Sequence, residues 1–116
     1  MPSPYEDIVV ALTLRKAFQG APGRAHGGIV AAAFDDLTGW VIGRLGEPAF
    51  TGEITVRFQA PVPIDERVEI RTRLVDRDGR KLYITAEMTA SNGAVIAICR
   101  ATYITVDPSA FAGIPQ

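Results

Sequence analysis

The stretch Ala25-His26-Gly27-Gly28-Ile29-Val30-Ala31-Ala32-Ala33-Phe34-Asp35-Asp36-Leu37-Thr38-Gly39-Trp40 decides how the rest of the chain is read. It predicts a helix from about Gly27 to Leu45 that is apolar nearly all round. Such a helix belongs inside a fold rather than on its surface. Two features depart from a plain core helix. Two glycines open it, where Ser or Asp would be an ordinary cap. Two adjacent carboxylates, Asp35 and Asp36, stand in its middle. A carboxylate on a buried helix is costly unless something pairs with it or uses it. That conflict is the main functional clue in the chain.

The sequence on either side supplies the helix with its surroundings. Upstream, residues 8–14 are short, β-branched and apolar, and predict a buried strand. Gly20-Ala21-Pro22-Gly23 marks a loop. Downstream, Gly46 is a good terminator and Glu47-Pro48 forbids further helix. The period then changes from helical to alternating. In residues 51–59, Ile54, Val56 and Phe58 point one way, Thr55 and Arg57 the other. Residues 67–75 and 81–89 alternate again, joined by Asp76-Arg77-Asp78-Gly79 as a hairpin turn. Ser91-Asn92-Gly93 carries the Asn-Gly hairpin signal, and residues 94–106 form a long last strand. Residues 1–7 and the tail from Asp107 read as loose ends. A half-polar antiparallel sheet must bury its other face, and the helix is the only large apolar object available. The fold class is therefore α+β: a long helix wrapped by an antiparallel sheet.

The totals narrow the function. With 116 residues the chain makes one domain, its core at about residues 8–106. A hydrophobic share of 47% excludes a disordered chain. A net charge of -1 leaves no basic footprint for nucleic acid. No apolar run approaches the roughly 20 residues of a membrane span. The N-terminus lacks a basic, apolar signal pattern. A single cysteine, Cys99, excludes an internal disulfide and fits a reducing compartment, so a cytoplasmic location is expected. One His and one Cys cannot build an ordinary zinc site, and no metal or redox cofactor is called for. The serines, Ser3, Ser91 and Ser109, fall in a lead-in, a turn and a tail, which argues against a Ser-His-Asp triad.

The remaining chemistry gathers on the helix. Gly27 and Gly28 lie at its N-terminus, where free N–H groups and the dipole favour negative charge. Without side chains they let a ligand approach those amides, which can hold a developing oxyanion. Asp35 lies eight residues on, about 12 Å along the axis. A reacting carbonyl must sit about 3 Å from both groups. One chain cannot meet that condition; a second copy with its helix antiparallel can. A catalytic reading thus requires a dimer. The plainer alternative has Asp35 and Asp36 pairing structurally or facing water. They stand about 100° apart on the helix, so they do not easily share one site. His26, the only histidine, suits a structural hydrogen bond or a place beside the substrate. Thr51 opens a strand. Arg80 and Lys81 follow a hairpin tip, as a solvated pair or a phosphate contact. Trp40 reads as core and Cys99 as a buried, inert thiol.

Across roughly residues 8–106 the chain resembles the hotdog-fold acyl-CoA thioesterases of the 4-hydroxybenzoyl-CoA thioesterase superfamily. It is nearest the PaaI-like group and the related mammalian thioesterase-superfamily members. The resemblance rests on His26-Gly27-Gly28, six residues, then Asp35. Thr51, Phe58-Gln59-Ala60-Pro61-Val62-Pro63 and Gly79-Arg80-Lys81 add to it. It implies a hotdog domain that hydrolyses an acyl-CoA thioester to free acid and coenzyme A. Asp35 would act as general base or nucleophile. The Gly27 amide of the other subunit would be the oxyanion donor. Thr51 would orient the attacking water and His26 would support the carbonyl site. Gly28, Arg80 and Lys81 would contact coenzyme A. The implied assembly is a homodimer, or a tetramer of two dimers. Some members carry an Asn six residues before the His; here Gly20 stands there. Two rival readings are a non-catalytic acyl-CoA binder on the same fold and an enoyl-CoA hydratase or dehydratase.

Overall fold

The computed structural model describes residues 7–16, 19, 20 and 22–106. Strand β1 (Ile8–Thr13) leads to helix α1 (Gly27–Leu45), followed by strands β2 (Ala49–Phe58), β3 (Arg67–Asp78), β4 (Lys81–Thr89) and β5 (Val95–Thr105). All five strands join one antiparallel sheet in the order β1-β3-β4-β5-β2. The expected helix with its antiparallel sheet is what forms, and this is the hotdog arrangement.

The alternation along β3, β4 and β5 builds the core. Val68, Ile70, Leu82, Ile84, Ala86, Met88, Cys99, Ala101 and Tyr103 all turn to one face and are buried there. The first half of α1 packs Val30, Phe34 and Leu37 onto Val68, Ile70, Met88 and Cys99. The second half packs Val41 and Ile42 onto Leu82, Ile84, Ala101 and Tyr103. The helix stops as its sequence predicts, at Gly46 with a left-handed φ of 72°.

Burial corrects the picture of a helix enclosed on every side. Val30, Phe34, Leu37, Thr38, Val41 and Ile42 form one buried stripe. The opposite flank, with Ala32, Asp36 and Gly43, is open. Trp40, expected in the core, is 59% exposed. Much of the all-round apolar character came from alanines and glycines, which bury little area; apart from Trp40 most of the large side chains sit on one stripe. The first hairpin is also tighter than expected. β3 runs on through Asp78, which pairs with Lys81, so only Gly79 and Arg80 form the turn. Gly79, with φ 59°, takes the first of the two loop positions, where a left-handed residue suits the strand twist.

One irregularity matters for the site. Strand β2 pairs with β5 with a register shift between Thr51 and Glu53. Strict alternation would set Thr51 and Ile54 on opposite faces. The bulge absorbs Gly52 as an extra outward residue, so Thr51 and Ile54 both turn toward the helix side. Gly52 suits the bulge: a Cβ there would lie 2.8 Å from Ile104 Cδ1. The loose ends expected at residues 1–7 and from Asp107 lie, apart from Asp7, outside the described residues.

Candidate active site

Asp35 lies at the edge of the buried stripe of α1, about 20° beyond Ile42 around the helix axis. Its carboxylate is exposed in the single chain, so the expectation of a buried acid is corrected. It is nevertheless held. The hydroxyl of Thr51, aimed by the bulge, donates to Asp35 Oδ1 at 3.0 Å. The phenol of Tyr103 lies 3.4 Å from the same oxygen and 3.1 Å from the Asp35 carbonyl. Thr38 donates to that carbonyl at 3.1 Å and meets the Tyr103 oxygen at 2.9 Å. Asp36, about 100° round the helix, turns away from this cluster.

The environment beneath Asp35 is dry. Burial pushes the Cys99 thiol up from 9.0 to about 11, and the Asp35 charge adds to the effect. Burial likewise raises the Tyr103 phenol, and the Asp35 charge pushes it the same way. Hydrogen bonds from Thr38 and Thr51 act in the opposite direction on the phenol. Both groups therefore stay protonated across the neutral range. Cys99 is buried as expected.

The other half of the site lies at the start of the helix. His26 is the missing N-cap: its backbone is extended, and its Nδ1 accepts the Gly28 N–H at 3.0 Å. The sequence reading missed this cap because an imidazole is not an ordinary capping group. A neutral ring that accepts at Nδ1 carries its proton on Nε2, which becomes a donor. A Cβ on Gly28 would come within 3.2 Å of His26 Nδ1, a tight contact that would press on the capping ring. Its amide is thus occupied, whereas the Gly27 N–H meets no acceptor among the described residues. A Cβ on Gly27 would face the Phe58 ring at 3.7 Å. Beside Gly27 runs an open groove of about 380 Å³, lined by Arg24, Ala25, Phe58, Gln59, Pro61 and Val62. Gly20 packs against His26, where a Cβ would stand 3.3 Å from the His26 Cα.

The structure therefore brings Asp35 and Thr51 together and sets His26 beside Gly28. It keeps the Gly27 amide about 12 Å along the helix from Asp35. Arg80 and Lys81 lie at the Thr51 end of the sheet: Lys81 pairs with Ile104, which pairs with Phe50. That places them about 10 Å across the sheet from β2. Arg80 donates from Nε to the Thr105 carbonyl at 3.0 Å. A larger concavity of about 600 Å³ lies on the outer sheet face around Tyr83, Thr85 and Arg100 and includes none of these groups. Among the described residues no cluster of three or more metal-ligating side chains occurs, and no helix is long and apolar enough to cross a membrane. Tyr103 and Thr38 are site residues that the sequence alone does not single out: one reads as one more inward position of a strand, the other as one more residue of the helix.

Known proteins share this architecture. A coenzyme A-bound hypothetical thioesterase from Streptococcus pneumoniae TIGR4 superposes with a TM-score of 0.82 at 19% identity, over 88% of this chain and 80% of that one. The Escherichia coli PaaI protein gives a TM-score of 0.80 at 15% identity, over 87% and 73%. In sequence, acyl-coenzyme A thioesterase THEM4 of Mus musculus is 29% identical over 91 residues, 78% of this chain and 39% of the mouse protein. Acyl-coenzyme A thioesterase THEM5 of Homo sapiens is 34% identical over 67 residues, 58% of this chain and 27% of the human one. The chain thus spans well under half the length of these curated relatives. The profile of the thioesterase-like superfamily matches residues 24–116, which include the His-Gly-Gly turn, Asp35, Thr51 and every strand from β2 to β5. On that match, with the fold behind it, the chain belongs to the thioesterase-like superfamily.

Proposed function

We propose that the protein hydrolyses acyl-CoA thioesters to free acid and coenzyme A. The observation that carries this reading is the exposed Asp35 carboxylate, oriented by a 3.0 Å hydrogen bond from Thr51. As general base, Asp35 takes a proton from water while the water oxygen attacks the thioester carbonyl carbon. The carbonyl oxygen becomes an oxyanion, the carbon–sulfur bond then breaks, and the proton leaves with the thiolate as coenzyme A. As nucleophile, an Asp35 oxygen instead attacks the carbonyl carbon, the carbon–sulfur bond breaks to release the coenzyme A thiolate, and water then cleaves the mixed anhydride to free acid and the Asp35 carboxylate. In either form the oxyanion falls to the Gly27 amide of a partner subunit, since the chain's own amide is too far away. A β2 edge with no further strand beside it among the described residues and an open helix flank support that homodimer; two dimers can join further as a tetramer. The Nε2–H of His26 supports the carbonyl site. The groove beside Gly27 receives the thioester arm, and Arg80 and Lys81 meet coenzyme A phosphates.

The test is thiol release from short, long and aromatic acyl-CoA substrates. Wild-type protein should release free thiol. Asp35→Ala should fold and lose at least about 10²-fold in rate, the scale of a positioned acid–base group. Tight acyl-CoA binding without thiol release would instead make the protein a non-catalytic binder.

A further inference from the structure

The phenol of Tyr103 is 5% exposed and sits where β5 passes under α1. Among the described residues it is the one buried hydroxyl that touches both the backbone and the side chain of Asp35. The proton inventory around it is short. Thr38 and Tyr103 bring one O–H each, and Thr38 spends its own on the Asp35 carbonyl at 3.1 Å. The phenol proton is thus left with Thr38 Oγ1, the Asp35 carbonyl and Asp35 Oδ1 in reach, beside the Thr51 hydroxyl, which itself donates to Oδ1. Of the three acceptors other than Thr51 only Oδ1 belongs to a charged group, and a charged acceptor makes the stronger bond. Tyr103 also pairs directly with Thr51 across the strands, so two hydroxyls converge on one carboxylate oxygen. That leaves Oδ2 as the oxygen for the chemistry.

Building on the proposed catalytic use of Asp35, we infer that Tyr103 is a positioning residue that locks Oδ1, so that Asp35 presents Oδ2 to water or thioester in its ionised form. The titratable groups that face Asp35 are few. Among the described residues β5 contributes Tyr103 and Cys99 and β2 the Thr51 hydroxyl, while Asp36, next along α1, turns away. Burial keeps the phenol protonated, as a donor must be.

The test compares wild-type protein with Tyr103→Phe and with 3-fluorotyrosine at position 103, whose more acidic phenol donates more strongly. Removing a donor disfavours the carboxylate, so the acid limb of the kcat–pH profile should move to higher pH in Tyr103→Phe. With fluorotyrosine it should move to lower pH. Tyr103→Phe should also lower kcat about tenfold, with KM within about twofold. A merely structural tyrosine would lower thermal stability and leave the limb in place for both proteins, and that result overturns the assignment. If Tyr103→Phe does not fold, the fluorotyrosine shift decides alone. Asp35→Asn in the same assay separates the two claims. Its retaining full turnover sinks the catalytic reading itself, whereas a dead Asp35→Asn with unmoved limbs sinks only the role of Tyr103.

Discussion

Asp35 stays in place through hydroxyls rather than through a counter-ion, and that sets what single substitutions should do. Thr51→Val keeps shape and volume but removes the 3.0 Å donor to Oδ1. We expect about a tenfold loss in kcat from the lost charge-assisted bond, with folding unchanged by circular dichroism. At Gly27 the expectation divides between rate and stability. The new methyl would lie 3.7 Å from the Phe58 ring, an ordinary contact, and Ala favours helix. Gly27→Ala should therefore shift urea stability by no more than about 1 kcal/mol. It should cost about tenfold or more in rate by shielding the amide. Equal losses in rate and folded fraction would contradict that role. Much of this site was legible beforehand, because His26, Gly27, Gly28 and Asp35 lie within ten residues and their spacing is a local signal. Tyr103 was not, since nothing in a strand's alternation tells a core phenol from one hydrogen-bonded to a helix 65 residues earlier. Trp40 went the other way: its size argued for the core, but its angle on the helix decided against it.

At the level of elements, α1 is fastened at both ends, by an unusual cap at its start and an ordinary glycine stop at its end. His26 caps the start through its ring nitrogen, and Gly46 closes the end at φ 72°. His26→Ala should cost about 1 kcal/mol by losing the cap. Gly46→Ala should cost about 1–2 kcal/mol by forcing a Cβ into the left-handed region. The two ends share no partner, so the losses in a double variant should add in urea denaturation. A clearly smaller sum would mean that the helix frays as one unit. The order of elements, the helix bounds and the second hairpin were readable because period and turn chemistry agree there. The bulge at Gly52 was not. Alternation from Ile54 to Phe58 says nothing about Thr51, and the extra residue shows only once β5 is laid alongside. Yet that bulge is what turns the Thr51 hydroxyl toward the helix.

For the molecule as a whole, the two deep ionisable groups beneath Asp35 predict its behaviour in alkali. Cys99 holds its proton to about 11 in the folded state against 9.0 otherwise, and Tyr103 is raised above 10.0. The folded chain therefore binds more protons than the unfolded chain above about pH 9. Stability should be full below that value and fall as pH rises through about 11. Urea midpoints at about pH 8 and pH 10.5 check this, and Cys99→Ala should flatten the fall. A midpoint that rose with pH would contradict it. The distance along α1 has a further consequence for any assembly of two such chains. With acid and amide about 12 Å apart on one rod, each copy would own two half-sites and no whole one. Two separately dead proteins, one lacking the Asp35 carboxylate and the other spoiled at Gly27, should then revive each other by subunit exchange. Random reshuffling would restore roughly one centre in four.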